Sequence, residues 1–285
     1  MPRHDELTEV LQQVYADLGR GQQRVARFIL DDARSVAFLS AGELAERAGV
    51  HSATVVRLSQ RLGYEGYPDL QKDLRTKLSH YPTFFQQMER TGSTADVPTL
   101  LAQSFARARR NLELAVRTVD VASLENLIEA LGRCQRVLVL GMGVARPVVS
   151  YLASCLRITG LEVHEPVDSV EMAQQLALAN ERDVVVVVDF HRYYREVIRL
   201  AGAAKDSGAA LVAITDSPVS DLAAYADHLL AVPSEGAAPR TSLAPAMVLV
   251  EAILALVTVH DRSRAQHAMR RIDEMYERTG VFTAS

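Results

Sequence analysis

At 285 residues the chain exceeds the usual size of one domain, so two domains are the first expectation. With 48% hydrophobic and 23% charged residues it has ordinary globular composition and ample material for a core. The net charge of −4 excludes an indiscriminate polycation that coats nucleic acid, but leaves room for one local basic face. Cys134 and Cys155 cannot form a disulfide framework and have no metal-ligand spacing, so both read as buried small apolar residues in a reducing compartment. The N-terminus lacks the apolar core of a secretion signal. The longest apolar stretch, Leu243 to Val259, carries Glu251 in its middle and suits a buried or subunit-interface helix better than a membrane span. A cytoplasmic protein without a membrane partner is expected.

The first eighty residues read as short consecutive helices. Leu7, Val10, Leu11, Val14 and Leu18 recur at helical spacing, and Val25, Phe28, Ile29 and Leu30 mark a second helix. Ser40-Ala-Gly-Glu43 has the form of a capping box, so a helix should run from Ala41 to about Ala48, with Gly49 as the turn. Ser52 is the expected N-cap of the next helix, which should extend through Leu62 and close at Gly63. Pro82, Gly92, Ser93, Thr94 and Pro98 gather where the periodicity weakens, which predicts a linker over 81–98 between domains at 1–80 and 99–285. A helical stretch follows from Leu100 to Leu131, with Asp120 as a possible cap. Beyond it, the short apolar runs Val137–Leu140, Val184–Val188 and Leu211–Ile214, with Leu161–His164 as a further candidate, alternate with amphipathic segments of helix length. That alternation implies a parallel sheet covered on both faces. Two helices, about Ala244–His260 and Arg264–Arg278, finish the chain.

The helix beginning at Ser52 carries the content of a DNA-reading helix. Val55, Val56 and Leu58 can pack inward, leaving Ser52, Ala53, Thr54, Arg57 and Arg61 as a small-plus-basic outward face. Small side chains allow close approach to the major groove, and arginine can donate bidentately to guanine. The same residues would also serve a plain helical hairpin with a solvated face. Residues 38–67, FLSAGELAERAGVHSATVVRLSQRLGYEGY, closely resemble the N-terminal domain of the RpiR/MurR family of bacterial transcriptional regulators. By that resemblance Ala53, Thr54 and Arg57 would read bases, and Ser52 would cap the recognition helix and touch phosphate. Arg61 and Lys72 would contact phosphate and fix register. Tyr64 and Tyr67 read as packing residues. Residues 1–80 hold eleven Lys/Arg and eleven Asp/Glu, so one copy should bind weakly. Specific binding then calls for at least a dimer on an inverted-repeat operator in double-stranded DNA.

Residues 136–163, RVLVLGMGVARPVVSYLASCLRITGLEV, read as strand, glycine loop, helix and strand. A glycine loop opening onto a helix N-terminus is a natural anion site, with Gly141 and Gly143 permitting the turn; a purely structural turn is the alternative. A dinucleotide fold competes, with Glu165 near the end of the second strand, but the third glycine of that fingerprint falls at Arg146. The better resemblance is to the sugar isomerase (SIS) domain over about Leu124 to Val259. It implies a three-layer α/β/α sandwich, ligands at the carboxyl ends of the strands, often phosphosugars, and association through this domain.

The sequence departs from the SIS pattern at its loops. The G-x-G-x-S loop has Ala145 at the serine position, and the S-x-S-G-x-T loop is replaced by Asp189-Phe190-His191-Arg192-Tyr193-Tyr194. Asp189 would repel a phosphate, whereas His191, Arg192 and Arg195 would attract an anion. The expected ligand residues are Gly141, Gly143, Ala145, Asp189, His191, Arg192 and Tyr194, and the expected ligand pairs an amine or hydroxyls with a carboxylate. Asp189 and Arg192 could instead pair with each other and close an empty site. Asp216-Ser217-Pro218 reads as a turn bordering the cleft, Glu251 as an interhelix or interface partner, and Arg240, Thr241 and Ser242 as caps of the following helix. No metal or cofactor is expected. The chain is thus read as an all-α helix-turn-helix domain followed by an α/β SIS-like domain. Its expected function is that of a homodimeric or homotetrameric regulator whose operator affinity follows a small polar or anionic effector. The alternatives are a sugar-phosphate isomerase with an accessory helical domain, and a SIS domain that serves assembly alone.

Overall fold

A computed structural model describes residues 7, 10, 11, 14–31, 36, 37, 39–79, 96–218, 220–236 and 240–282. The chain divides into two compact units, 1–82 and 83–285. Most of the expected linker, residues 81–95, lies outside the described residues, as does Phe38. At the linker's far end the structure corrects the expectation. Asp96 caps a helix by accepting the N–H of Thr99 at 3.0 Å, and Pro98 already lies in that helix's first turn. Proline suits that position because a helix start leaves its first N–H groups unused.

In the first unit, helices α1 (Arg20–Asp31), α2 (Ala41–Arg47), α3 (Ser52–Arg61) and α4 (Tyr67–Ser79) surround one core. The capping box is formed: Ser40 Oγ accepts the N–H of Glu43 at 3.2 Å, and Glu43 Oε2 accepts that of Ser40 at 2.7 Å. Gly49, at φ +61°, supplies the left-handed turn between α2 and α3. Ser52 is the first helical residue of α3 rather than its N-cap; His51 holds that place, and its side chain makes no cap bond. Val55 and Leu58 are buried with Leu44, Ala45 and Val25, while Val56 is half-buried. Tyr64 and Tyr67 are packing residues as expected. The Tyr67 hydroxyl donates to the carbonyls of Val36 and Leu39 at 2.9 and 2.7 Å, and that of Tyr64 donates to Asp73.

The second unit begins with α5 (Val97–Thr118) and α6 (Val121–Arg133), the latter capped by Asp120. The α/β succession follows as β1 (Arg136–Leu140), α7 (Arg146–Ile158), β2 (Val163–His164), α8 (Ser169–Leu176), β3 (Asp183–Val188), α9 (Arg195–Asp206), β4 (Ala210–Thr215) and β5 (His228–Ala231). It closes with α10 (Ala244–His260) and α11 (Arg262–Thr279). The five strands are all parallel, in the order β2-β1-β3-β4-β5, with Leu138 opposite Val185 and Val185 opposite Leu211. Alternate side chains enter two separate cores, because the strand period is two. Val137, Val139, Val184 and Val186 pack with α6, α7 and α10; Leu138, Leu140, Val185 and Val187 pack with α8 and α9. Four central valines in a row are therefore buried on both faces, the pattern of a parallel sheet.

Cys155 is buried and Cys134 half-buried, both as free thiols. Among the described residues no single helix is long and apolar enough to cross a membrane. The most apolar, α10, has Leu249, Val250, Ile253 and Val257 in the core and meets α11 at a 108° bend.

The strand order reverses direction between β1 and β3, which opens a crevice at their carboxyl ends. Gly141 sits there because nothing larger fits. A Cβ would meet the Val188 carbonyl at 2.5 Å and Val149 Cγ2 at 2.8 Å. Gly141→Ala should therefore lower stability by about 1–3 kcal/mol through overpacking. Gly19→Ala, with no atom within 4 Å of the added carbon, should cause no comparable loss from crowding. Urea denaturation of the two variants against the parent checks the contrast.

Candidate functional site

The first candidate surface is the N-terminal half of α3. Buried Val55, Leu58 and Ser59 fix its inner side, the last by donating from Oγ to the Val55 carbonyl at 3.0 Å. Ser52, Ala53, Arg57 and Arg61 are exposed together on this helix. Arg57 Nε is folded back onto the Ala53 carbonyl at 3.2 Å. Thr54 is half-buried, and its methyl faces Gly21 of α1, 3.4 Å from where a Cβ would stand. The structure thus brings four of the five expected α3 residues to the surface and turns part of Thr54 inward. Lys72 is exposed on α4.

The second lies at the carboxyl ends of β1 and β3. After Gly141 the chain makes a tight turn at Gly143–Ala145 and enters α7, with Gly143 at φ +54°. Tyr194 lies directly over this turn: a Cβ on Gly143 would stand 2.0 Å from its hydroxyl oxygen and 2.6 Å from Cζ. Ala145 is fully buried, so its side chain lines the core and not the crevice.

The loop after β3 is held from below by Asp216, at the end of β4. Its carboxylate accepts the Tyr193 hydroxyl and the Ser234 hydroxyl, each at 2.7 Å, and the backbone N–H of His191 at 3.3 Å. Asp216 is thus an organising group, a role that reading it as a turn residue had missed. Thr241 Oγ1 donates to the His191 carbonyl at 3.1 Å. It does not cap α10, whose N-cap is Leu243, without a side-chain cap bond; the capping role expected of Arg240, Thr241 and Ser242 is absent. The His191 and Tyr193 rings meet edge to face with centroids 5.8 Å apart. Burial lowers the His191 pKa, with the nearby Asp216 opposing the shift and Arg192 adding to it, which disfavours the charged ring.

Asp189 is fully buried. Its Oδ2 accepts the Tyr194 N–H at 2.9 Å, and its Oδ1 has no hydrogen-bond partner. The carboxylate therefore turns onto its own loop. Arg192 is exposed, and the pairing of the two that would close the site is not formed. Burial pushes the Asp189 pKa up to about 7, against the hydrogen bonds from Tyr194 and Phe190.

The same network reaches α5. Asn111 Nδ2 donates to the Glu235 carbonyl at 2.8 Å. Arg107 bonds both the Glu235 carboxylate, at 2.8 Å, and the Gly236 carbonyl, at 3.1 Å. This segment also carries Ser234, so a continuous set of hydrogen bonds joins α5 to the altered loop.

The dinucleotide alternative meets a physical obstacle. Arg146 reaches Glu165 Oε1 at 3.5 Å and the Pro166 carbonyl at 3.0 Å, and Glu165 is further engaged by Ser150 and Arg157. The carboxylate placed to bind a ribose is already taken. Glu251 is exposed on α10, and its charge is felt by the Tyr151 hydroxyl. No group of three metal-ligating side chains occurs among the described residues. A groove between α7 and α11, lined by Ser154, Arg157, Ile158, Ala268, Arg271 and Ile272, lies at the other end of α7.

Known proteins share both units. Residues 5–81 match the helix-turn-helix domain of the rpiR family, and residues 130–259 match the SIS domain. An uncharacterized HTH-type transcriptional regulator of Haemophilus influenzae is 27% identical over 76% of either chain. The HTH-type transcriptional regulator HexR of Pseudomonas aeruginosa is 24% identical over 94% of either. Among solved structures, the sugar isomerase domain of an RpiR transcription factor from Sphaerobacter thermophilus covers 61% of this chain and 98% of its own. Its TM-score is 0.60 at 27% identity. The Vibrio vulnificus NanR protein complexed with ManNAc-6P covers 98% of this chain and all of its own, with a TM-score of 0.59 at 23% identity.

The raised Asp189 pKa fixes the sign of a pH effect. The protonated carboxyl is the form the fold prefers. Its contribution is complete below about pH 4, is lost as pH rises toward about 7, and is level above. Relative to Asp189→Asn, the parent should lose up to about 1.4 kcal/mol per pH unit within that window. Melting curves of both proteins between pH 5 and 8 measure this. A constant difference between them would show that Asp189 is not held in its neutral form.

Proposed function

Because the chain belongs to the RpiR family of helix-turn-helix transcriptional regulators with a C-terminal SIS domain, we infer that it is a DNA-binding regulator whose operator affinity is set by a small metabolite. The observation that carries the reading is the pairing of an exposed small-and-basic α3 with an α/β domain whose strand-end loop is hydrogen-bonded to α5.

Residues 1–80 are the DNA-binding domain, with Ala53, Thr54 and Arg57 reading bases and Ser52, Arg61 and Lys72 contacting phosphate. The half-buried Thr54 contributes at the edge of that surface. The segment ending at residue 95 connects it to a sensing and oligomerisation domain that begins with the Asp96 cap of α5. The effector occupies the crevice between Gly141–Ala145 and Asp189–Tyr194. Arg192 supplies its positive charge, and Gly141, Gly143, Asp189, His191 and Tyr194 border the site. The NanR relative is seen with ManNAc-6P, which supports a polar, anionic, sugar-derived metabolite here. Regulation requires that this ligand favour one arrangement of the DNA-binding domains over another. The protein acts without catalysis and in the cytoplasm, in keeping with the regulator names of its relatives and the loss of the hydroxyl loop.

A DNA-binding domain with balanced charge supports pairing of at least two copies on an inverted repeat. The exposed Val248, Leu256 and Val259 of α10 offer an apolar surface for association. Arg57→Ala should cost about 1–3 kcal/mol of operator affinity, whereas Lys72→Ala should weaken binding to all sequences and flatten its salt dependence. Unchanged footprinting by Arg57→Ala would place the recognition surface elsewhere. Sedimentation should show a dimer or tetramer at micromolar concentration; a monomer with full operator affinity would remove the paired model.

A further inference from the structure

The contact between Tyr194 and the glycine turn carries an inference of its own. In the parent pattern the loop after β3 offers small hydroxyls to its ligand, and this chain has a phenol instead. Its hydroxyl oxygen occupies the space against Gly143 that a Cβ would need, at the point where the turn runs into α7. Ala145 and Arg146 give their N–H groups to the carbonyls of Met142 and Gly143 and Pro147 has none, so what the start of α7 offers an oxygen here is the positive end of the helix dipole.

The phenol is delivered there by its backbone. Asp189 Oδ2 holds the Tyr194 N–H at 2.9 Å, and Asp216 and Thr241 pin His191 just before it. The side chain itself is less restrained. It is 40% exposed, and no described residue hydrogen-bonds its hydroxyl. A group set firmly at its backbone and loosely at its tip can swing away without unfolding the loop. The buried Asp189 Oδ1, still without a partner, marks the same loop as unfinished in its polar contacts.

We propose that Tyr194 is an intramolecular competitor of the effector: its phenol fills the glycine turn in the free protein, and an oxyanion of the effector binds by displacing it. This rests on the strand-end crevice being the effector site. Tyr194 thereby sets a threshold, since only a ligand whose anion binds better than the phenol opens the turn. Population of the closed form lowers the apparent affinity by the fraction of molecules that are open.

The test is calorimetry of the full-length protein with inorganic phosphate at pH 7.5. Tyr194→Ala clears the turn and should bind phosphate at least about tenfold more tightly than the parent, the consequence of removing a closed state that holds nine molecules in ten. Tyr194→Phe keeps the ring, whose Cζ lies 2.6 Å from the Cβ position, and should fall between the two. It also serves if the alanine variant folds poorly, as judged by melting. Gly143→Ala, which fills the turn with a methyl, should show no gain. Equal affinity in the parent, Tyr194→Ala and Tyr194→Phe would overturn the proposal, as would the absence of phosphate binding in all of them. Arg192→Ala separates this from the site itself. If it abolishes phosphate binding while Tyr194→Ala brings no gain, the crevice stands as the site and Tyr194's part falls. If Arg192→Ala changes nothing and Tyr194→Ala brings no gain, the crevice falls as well.

Discussion

The buried carboxylate of Asp216 is the constraint on which the ligand-sensing domain's working end depends. A carboxyl group in a buried position is tolerable only where its hydrogen-bonding capacity is used, and here one backbone N–H and two hydroxyls use it. The three donors come from two different segments. His191 and Tyr193 belong to the loop after β3, and Ser234 to the strand of chain after β5. Asp216 thus makes the conformation of one segment conditional on the other. Removing either would leave a buried polar group short of donors, a cost larger than that of a surface bond. The coupling continues outward, because the segment after Ser234 is fastened to α5 by Asn111 and Arg107. A ligand that moves the loop must act on these bonds, and α5 is the first described helix beyond residue 95. The hydrogen bonds supply a physical route without any requirement that the core deform.

Two carboxylates stand at adjacent strand ends with opposite outcomes. Asp216 has its donors, whereas Asp189 is met by backbone N–H groups of its own loop and its Oδ1 has no hydrogen-bond partner. Their proximity raises the Asp189 pKa further, on top of the larger effect of burial. The replacement of a hydroxyl loop by Asp189 and two tyrosines has therefore not made a simple acidic pocket. At neutral pH the loop carries a carboxyl near its midpoint, an imidazole whose charged form burial disfavours, and an exposed guanidinium. Judged by side-chain type alone, the loop had seemed to carry both signs of charge. Burial, which the sequence does not state, disfavours the charged forms of both Asp189 and His191.

Much of the fold was legible because it rests on local rules. The valine run 184–188 had to be a strand buried on both faces, and the Ser40/Glu43 box and Asp120 cap could be read from spacing alone. What escaped depended on tertiary contacts. β5 is four residues long, begins at His228 and has only Leu230 fully in the core, so its pattern is too short to register. The start of α5 was masked by Pro98, which reads as a breaker but is equally at home in a first turn. For the site, the two glycine positions and the six loop residues could be located, since both follow strands at a reversal of sheet order. The roles of Asp216, Ser234 and Thr241 could not, because Asp216 and Thr241 act on a loop more than twenty residues away in the chain and Ser234 acts on Asp216 from 18 residues away. Arg146 could be seen to disfavour a dinucleotide, yet its partner Glu165 became clear only when the two were found together.

The DNA-binding half shows a similar narrowing. Five residues of α3 looked outward by helical spacing, but the helix leans on α1 closely enough that the Thr54 methyl rests at Gly21. A side chain at Gly21 would have to share that space, which ties the packing of α1 to the exposure of the reading surface. Arg57 adds a second restraint, since its Nε is spent on the Ala53 carbonyl in the free protein. That bond lies on an exposed helix face and is weak in water, so a guanine edge offering two acceptors can outcompete it. On the proposal that Arg57 reads a base, the step is an exchange of one hydrogen bond for a bidentate pair, with a net gain per copy smaller than the pair alone would give. Together with a domain that carries no net charge, this leaves little nonspecific attraction to add. The proposed pairing of copies answers that shortfall, and on that proposal control of DNA binding lies in whatever sets their spacing.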